Sequence, residues 1–365
     1  MTDSRENPAP TTAPAAPLVE RTRDGDARSP YVWVLNLDAE HEFEGRAGYA
    51  PNRNLRTIVA AQQARLVHEL LSPGDYLLRE AASDGSRAAD LELLRVPIDP
   101  LQTSGALQPP RLVELAEARG LPGLAWSPTP RALALLAAAH TVPAHSVDIE
   151  ILRTVNARPF AARLHNDLRN ESFPKHIAEN LEQALQRLAL PAPHGWLVRR
   201  VYGAAGRGRR RIRSGQPDRA EREWLGKSLQ LGPLVFEPWV EIVCEYTRSG
   251  WVDDAGAVMM SRPCFQETTK TGAWEHTQHA APNEVARGHD QELQAAFEAA
   301  GQALAQAGYS GPFGIDAYLH RQPGGKREVL NPLSEINARF TMDWSLATDP
   351  MRAKSRPRGD LRRVP

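Results

Sequence analysis

The chain has 365 residues, and its 44 lysines and arginines cancel its 44 aspartates and glutamates. That length allows about two or three packed units, and a net charge of zero gives no global field favouring nucleic acid or a membrane surface. No apolar run approaches the ~20 residues needed to span a bilayer, and the N-terminus has no hydrophobic signal core. Two cysteines, Cys244 and Cys264, cannot build a disulfide framework, so a soluble protein in a reducing, cytoplasmic setting is expected.

Residues 1–29 are rich in Pro, Ala, Thr and charge without periodicity, which predicts a disordered tail. Residues 31–37, Tyr-Val-Trp-Val-Leu-Asn-Leu, read as a first buried strand. Leu55, Val59, Ala60, Leu66, Leu70 and Leu71 have helical spacing. Strands follow at 75–78 and 91–96, then short helices at 111–119, closed by Gly120, and at 130–140. This alternation predicts a small α/β domain over 30–130 with a mostly parallel sheet. From about residue 145 the texture changes. A helix over 179–188 leads to a strand at 196–200, a glycine- and arginine-rich loop, and strands at 234–239 and around 257–260. The stripe Leu293, Phe297, Ala300, Leu304 predicts a helix over 291–308 that stops at Gly308. The end, 349–365, is basic and proline-bearing, and a flexible tail is expected.

The chemistry concentrates late in the chain. In an extended segment successive side chains alternate faces, so Glu335, Asn337 and Arg339 point one way and Ile336, Ala338 and Phe340 the other. Asp316 lies on its own alternating run, opposite Phe313, Ile315, Ala317 and Leu319. Two carboxylates and an amide oxygen are hard ligands suited to Mg²⁺, which takes one or two carboxylates plus substrate phosphates. Arginine supplies a fork for phosphate oxygen. Held ~4 Å apart, two carboxylates repel by about 4 kcal/mol at an effective dielectric near 20, so such a pair needs a cation or a shared proton.

Upstream, Trp196-Leu197-Val198-Arg199-Arg200 runs into Gly203-Ala204-Ala205-Gly206-Arg207-Gly208, a strand followed by a loop that can cradle phosphate oxygens or form an ordinary basic turn. The loop lacks the Gly-Lys-Ser/Thr ending of a Walker motif. The arginines of residues 207–213 could meet a nucleic-acid backbone, but no aromatic residues interleave with them. Proline after Glu237 marks an edge or hinge whose backbone could meet an adenine edge, and Glu245 falls eight residues later. His276 and His279 could ligate a metal from one helical face or sit in a loop over a cleft. Cys264 reads as a buried small hydrophobe. Asp38 and Glu40 follow the first strand, where an α/β sheet places ligand-facing groups.

This order of signals, a basic strand, a glycine loop, a glutamate hinge, a helix, Gly314-Ile315-Asp316 and then Glu-x-Asn-x-Arg, closely resembles the ATP-grasp superfamily. The resemblance runs from about residue 30 to 348. It implies an α/β protein with an ATP-grasp fold: an N-terminal Rossmann-like (pre-ATP-grasp) domain over 30–130, then an ATP-grasp domain over 131–348 with two subdomains around the ATP cleft. It implies an ATP-dependent ligase that activates a carboxylate as an acylphosphate for attack by an amine or other nucleophile. Asp316, Glu335 and Asn337 would hold one or two Mg²⁺ ions, with Mn²⁺ an alternative, and Arg339 would contact the terminal phosphate. Arg199 stands where the family usually has a phosphate-reaching lysine, and Arg158 matches a second basic position. Gly206, Arg207 and Gly208 would belong to the mobile loop over the triphosphate. Glu237, Trp239 and Val240 would form the adenine hinge, with Glu245 facing ribose. The arginine at 199 and the extra acid Asp343 leave an inactive nucleotide-binding scaffold as the alternative. A homodimer is left open; no membrane or nucleic-acid partner is expected.

Overall fold

In the computed structural model the described residues are 29–45, 51–81, 90–98, 108–169, 173–203, 207–268, 274–280, 284–322, 325 and 327–344. Most of the tail expected at 1–29, all of the one expected at 349–365, and Gly206 lie outside them.

The first sheet is built from β1 (Val32–Val34), β2 (Tyr76–Glu80), β3 (Leu91–Arg95), β4 (Arg111–Val113), β5 (Pro122–Ala125) and β6 (Val142–Pro143), in the order β4-β3-β2-β1-β5-β6. The helices α1 (Ala39–Phe43) and α2 (Arg53–Leu70) connect β1 to β2, and α3 (Pro130–Ala138) connects β5 to β6. β2, β1, β5 and β6 run parallel, as expected, but β3 and β4 add an antiparallel flank. All three residues of β1 are buried because both sheet faces are covered. Trp33 packs toward Leu66, Val67 and Leu70 of α2, while Val32 and Val34 pack toward Ala132 and Leu136 of α3. Asn52 and Thr129 cap α2 and α3, and Pro130 occupies the first turn where its missing N–H costs nothing.

The helix expected over 111–119 is instead the edge strand β4 followed by a 3₁₀ turn at Leu115–Ala118. Pairing of Leu112 with Leu94 supplies a ladder that local spacing cannot reveal.

The next segment carries α4 (Ile149–Asn156), α5 (Arg158–Arg169), β7 (His176–Ala178), α6 (Leu181–Ala189), β8 (Trp196–Arg199), β9 (Arg209–Ile212), α7 (Arg219–Leu229) and β10 (Leu234–Pro238). Its strands form an antiparallel sheet, β7-β10-β8-β9. Trp196, Val198 and Ile212 face α6 and α7, joining Leu188 and Leu225 in one core. Strand alternation therefore turns Leu197, Arg199, Arg209 and Arg211 to the opposite face.

The third sheet comprises β11 (Glu241–Val252), β12 (Val258–Met260), β13 (Cys264–Thr268), β14 (Trp274–His279), β15 (Gly311–Arg321) and β16 (Glu328–Asn337), with α8 (Arg287–Gln306) between β14 and β15. Residues 274–279 are thus a strand paired with β13, not a loop or a helical face, which takes His276 and His279 out of the i, i+3 geometry of a helical metal site. Phe297 of α8 stacks on Phe313 of β15 with centroids 4.4 Å apart. Beyond β16 the chain reaches the first sheet: Phe340 lies 4.9 Å from Trp33, ring to ring, and its N–H donates to the Trp126 carbonyl.

Candidate active site

β1 pairs with β2 on one side and β5 on the other, and α2 and α3 cover opposite faces. The carboxyl ends of β1 and β5 are therefore a topological switch point, where an open α/β sheet leaves a crevice. Leu37 and Glu40 follow β1 there and Trp126 follows β5. All three line a cavity of about 240 Å³, together with Arg158, Arg199, Asp316, Glu335, Asn337 and Arg339.

The acidic half comes from the third sheet. Asp316 and Glu335 are direct cross-strand partners of β15 and β16, beside a break in their register. Ile336, Ala338 and Phe340 are buried on the far face, as the alternation requires. Asn337 Nδ2 donates to Asp316 Oδ2 at 3.0 Å, which leaves the amide oxygen as an acceptor. Burial, with Glu335 and Asp343 nearby, pushes the Asp316 carboxyl up to about 7. Burial also works on Glu335, but Arg158, Arg199, Arg339 and Lys175 outweigh it and hold that carboxyl below its ordinary value. Among the described residues no group of three or more His, Cys, Asp or Glu side chains could hold a metal ion. Two carboxylates and an amide oxygen fit a Mg²⁺ ion that draws its remaining ligands from phosphates and water.

The basic half faces it. Arg158 Nη2 lies 3.2 Å from Glu335 Oε1 and donates to the Gly203 carbonyl, while Nη1 donates to the Arg200 carbonyl. It ties Glu335 to the start of the glycine-rich loop. Arg199 bridges two acids, with Nη1 3.6 Å from Glu335 Oε2 and Nε 3.2 Å from Glu237 Oε1. Glu237 and Glu335 together outweigh burial and raise the Arg199 pKa. Arg339 donates through Nε and Nη2 to Glu40 Oε1, at 3.1 and 2.7 Å, and sits over the Trp126 ring. Of the two acids after β1, Glu40 therefore reaches the cavity; Asp38 is tied to Arg131 instead.

Arg207 also lines this cavity, and Gly208 takes a positive φ of 69°. A Cβ on Gly203 would meet the Arg207 carbonyl oxygen at 2.6 Å, so residues 203 and 207 approach this closely only without a side chain at 203.

A second cavity, about 540 Å³, shares Arg199 and Arg209 with the first and is lined by Glu237, Trp239, Val240 and Glu245. Thr268 donates its hydroxyl to Glu245. The Trp239 N–H is used by the Gly195 carbonyl, and Arg211 covers the Trp239 ring at 4.6 Å. Glu237 is buried, facing Arg199 and Lys175 rather than solvent.

Lys175 was not foreseen. Its Nζ lies 3.8 Å from Glu237 and donates to the carbonyls of Leu333 and Ser334, at 3.0 and 2.8 Å. Those partners lie 158 and 159 residues further along the chain, so no local spacing signals the contact.

No protein-family model matches the chain, and none of the curated proteins matches it. Solved structures do. The D-alanyl-alanine synthetase A of Vibrio cholerae is 12% identical, with 88% of this chain and 92% of that chain covered and a TM-score of 0.46. The N5-carboxyaminoimidazole ribonucleotide synthetase of Thermus thermophilus is 17% identical, with coverage of 85% and 71% and a TM-score of 0.42. The N5-carboxyaminoimidazole synthetase of Staphylococcus aureus, solved with ADP, is 12% identical over 60% of this chain, with a TM-score of 0.40. This chain covers 54% of that protein, about half its length.

Proposed function

We propose that the chain is an ATP-grasp ligase that uses Mg·ATP to activate a carboxylate, most simply for carbon–nitrogen bond formation. One observation carries the reading. Asp316, Glu335 and Asn337 meet Arg158, Arg199 and Arg339 at one cavity, which shares Arg199 and Arg209 with a second cavity beside Glu237 and Val240.

In this reading the base lies in the larger cavity. Trp239 and Val240 form its hinge; the Val240 N–H makes no hydrogen bond among the described residues and is free to meet a base edge. Glu245 faces the ribose. Asp316, Glu335 and Asn337 hold Mg²⁺, which when bound neutralises charge on the phosphates. Arg199 and Arg158 hold the phosphate chain, Arg207 and Gly208 close over it, and Arg339 meets the terminal phosphate. The acceptor carboxylate, ionised at neutral pH, attacks the γ-phosphorus with no added base, ADP leaves, and an acylphosphate forms. The ammonium form of the second substrate first gives a proton to solvent. The lone pair of the free amine then attacks the acyl carbon, phosphate leaves with the C–O bonding pair, and the nitrogen releases a second proton to solvent as the amide forms. The arginines act mainly by positioning and by stabilising charge as it spreads over the transferring group.

The test is incubation with ATP, Mg²⁺ and a pool of amino acids. The expected result is phosphate release that falls at least 100-fold in Glu335→Ala. Tight ATP binding with no release under any acceptor would instead favour a nucleotide-binding scaffold.

A further inference from the structure

We propose that the cavity beyond the phosphate end contains an ammonium subsite built on Asp343, and that the nucleophile taken there is an apolar primary amine. The proposal rests on the ligase reading and names the class of its second substrate.

Asp343 lies on the turn after Arg339 and is only 5% exposed, yet it lines the cavity. Its carboxylate is fixed in place: Ser249 Oγ donates to Oδ2 at 3.0 Å, and the Ser249 and Thr341 hydroxyls lie 2.9 Å apart. Among the described residues no lysine or arginine pairs with it, and the one basic group that acts on it is the His279 imidazole. The neighbouring acids differ, since Glu40 holds Arg339 while Glu335 holds Arg158 and Arg199. Asp316 also makes no ion pair among the described residues, though Arg199 acts on it electrostatically; it stands in register with Glu335 and takes the Asn337 amide, which assigns it to the metal set. A buried carboxylate without a counter-charge is costly, and a positive ligand group removes that cost.

The surroundings decide what kind of cation fits. Leu37, Leu66, Trp126, Trp274 and Met342 line the same cavity. The Trp126 face carries Arg339; the Trp274 indole suits an ammonium, and the aliphatic wall suits the carbon body attached to it. One carboxylate, two hydroxyls and these side chains do not make the oxygen cage that a bare divalent ion requires.

Leucinamide, an apolar primary amine without a carboxylate, is the probe, and 4-methylpentanamide is the same molecule without the amine. Binding is measured by calorimetry, with and without Mg²⁺ and a non-hydrolysable ATP analogue. The wild-type protein is expected to bind leucinamide at least tenfold more tightly than 4-methylpentanamide. Asp343→Asn should erase that preference while Mg·nucleotide affinity stays within about twofold, which also reports that the variant is folded. Trp274→Ala, at a half-buried position, should weaken leucinamide several-fold. Equal leucinamide affinity in wild type and Asp343→Asn overturns the subsite. So does the absence of any preference in the wild type. A tenfold loss of Mg·nucleotide affinity in a folded Asp343→Asn protein overturns it too, by placing Asp343 on the metal. Failure of the wild-type protein to bind Mg·nucleotide would strike the ligase reading itself, while leucinamide binding would still decide the subsite.

Discussion

Lys175 shows how far the site depends on charges that compensate one another. Together with Arg199 it surrounds Glu237 in a region almost closed to solvent, and Arg158 repeats the arrangement around Glu335. Burial pushes the Lys175 ammonium down to about 8, against the pull of Glu237. The folded state thus gives up this proton near pH 8, whereas the unfolded chain keeps it up to about 10.5. Between those values the unfolded state binds more protons, so this residue makes stability rise with pH through the window; below about pH 8 its destabilising effect is complete. Lys175→Met removes the titration. In denaturation series from pH 8 to 10.5, wild type should gain on the variant by on the order of 3 kcal/mol. A pH-independent difference, or one of opposite sign, would contradict the burial argument. Lys175 is also the clearest case of what local sequence hides. The alternation of Glu335, Asn337 and Arg339 against Ile336, Ala338 and Phe340 could be read from one segment because strand geometry dictates it. Lys175 acquires its role only when β16 folds back beside it.

The β8–β9 hairpin carries the basic side of the cleft, and its two faces divide the arginines. Arg199 and Arg209 face the cleft, while Arg210 lies over the Trp224 ring on the other side. That division also weakens the alternative of a nucleic-acid patch over residues 207–213, because Arg210 and Arg211 already rest on indole rings. A Cβ on Gly203, just past β8, would press on the Arg207 carbonyl at 2.6 Å and on Arg158 at 3.2 Å. Gly203→Ala should cost about 1–3 kcal/mol in unfolding free energy and should also weaken Mg·ATP binding. Gly226, inside α7 with nothing near its missing Cβ, is the control. Gly226→Ala should stabilise by roughly 0.5–1 kcal/mol and leave nucleotide affinity unchanged. Denaturant titration and calorimetry on the pair check both statements. Elements with strong periodicity, such as α8 with its buried Leu293, Phe297, Ala300 and Leu304, were legible from spacing alone. β4 was not, because Arg-Leu-Val on an exposed edge carries no strand pattern until β3 supplies a partner.

Across the whole molecule, three sheets converge on two neighbouring cavities that share Arg199 and Arg209. The first sheet contributes the crevice at the ends of β1 and β5, the second the basic face, and the third the acidic strands β15 and β16. Phe340 and Trp344, packed with Trp33 and Trp251, join the third sheet to the first and so fix Arg339 between Glu40 and Trp126. Among the described residues no helix is long and apolar enough to cross a membrane. Lysine and arginine balance aspartate and glutamate over the chain as a whole, so binding of a polyphosphate must depend on this local arrangement rather than on overall charge. The strands were readable singly, but the convergence of residues from position 40 to position 343 is a property of tertiary packing. The most direct test is a crystal structure with Mn²⁺ and a non-hydrolysable ATP analogue, using the manganese anomalous signal. The account predicts a peak about 2.1 Å from oxygens of Asp316, Glu335 and Asn337, with the phosphates against Arg158 and Arg199. Nucleotide bound elsewhere, or a metal peak away from those three side chains, would contradict it.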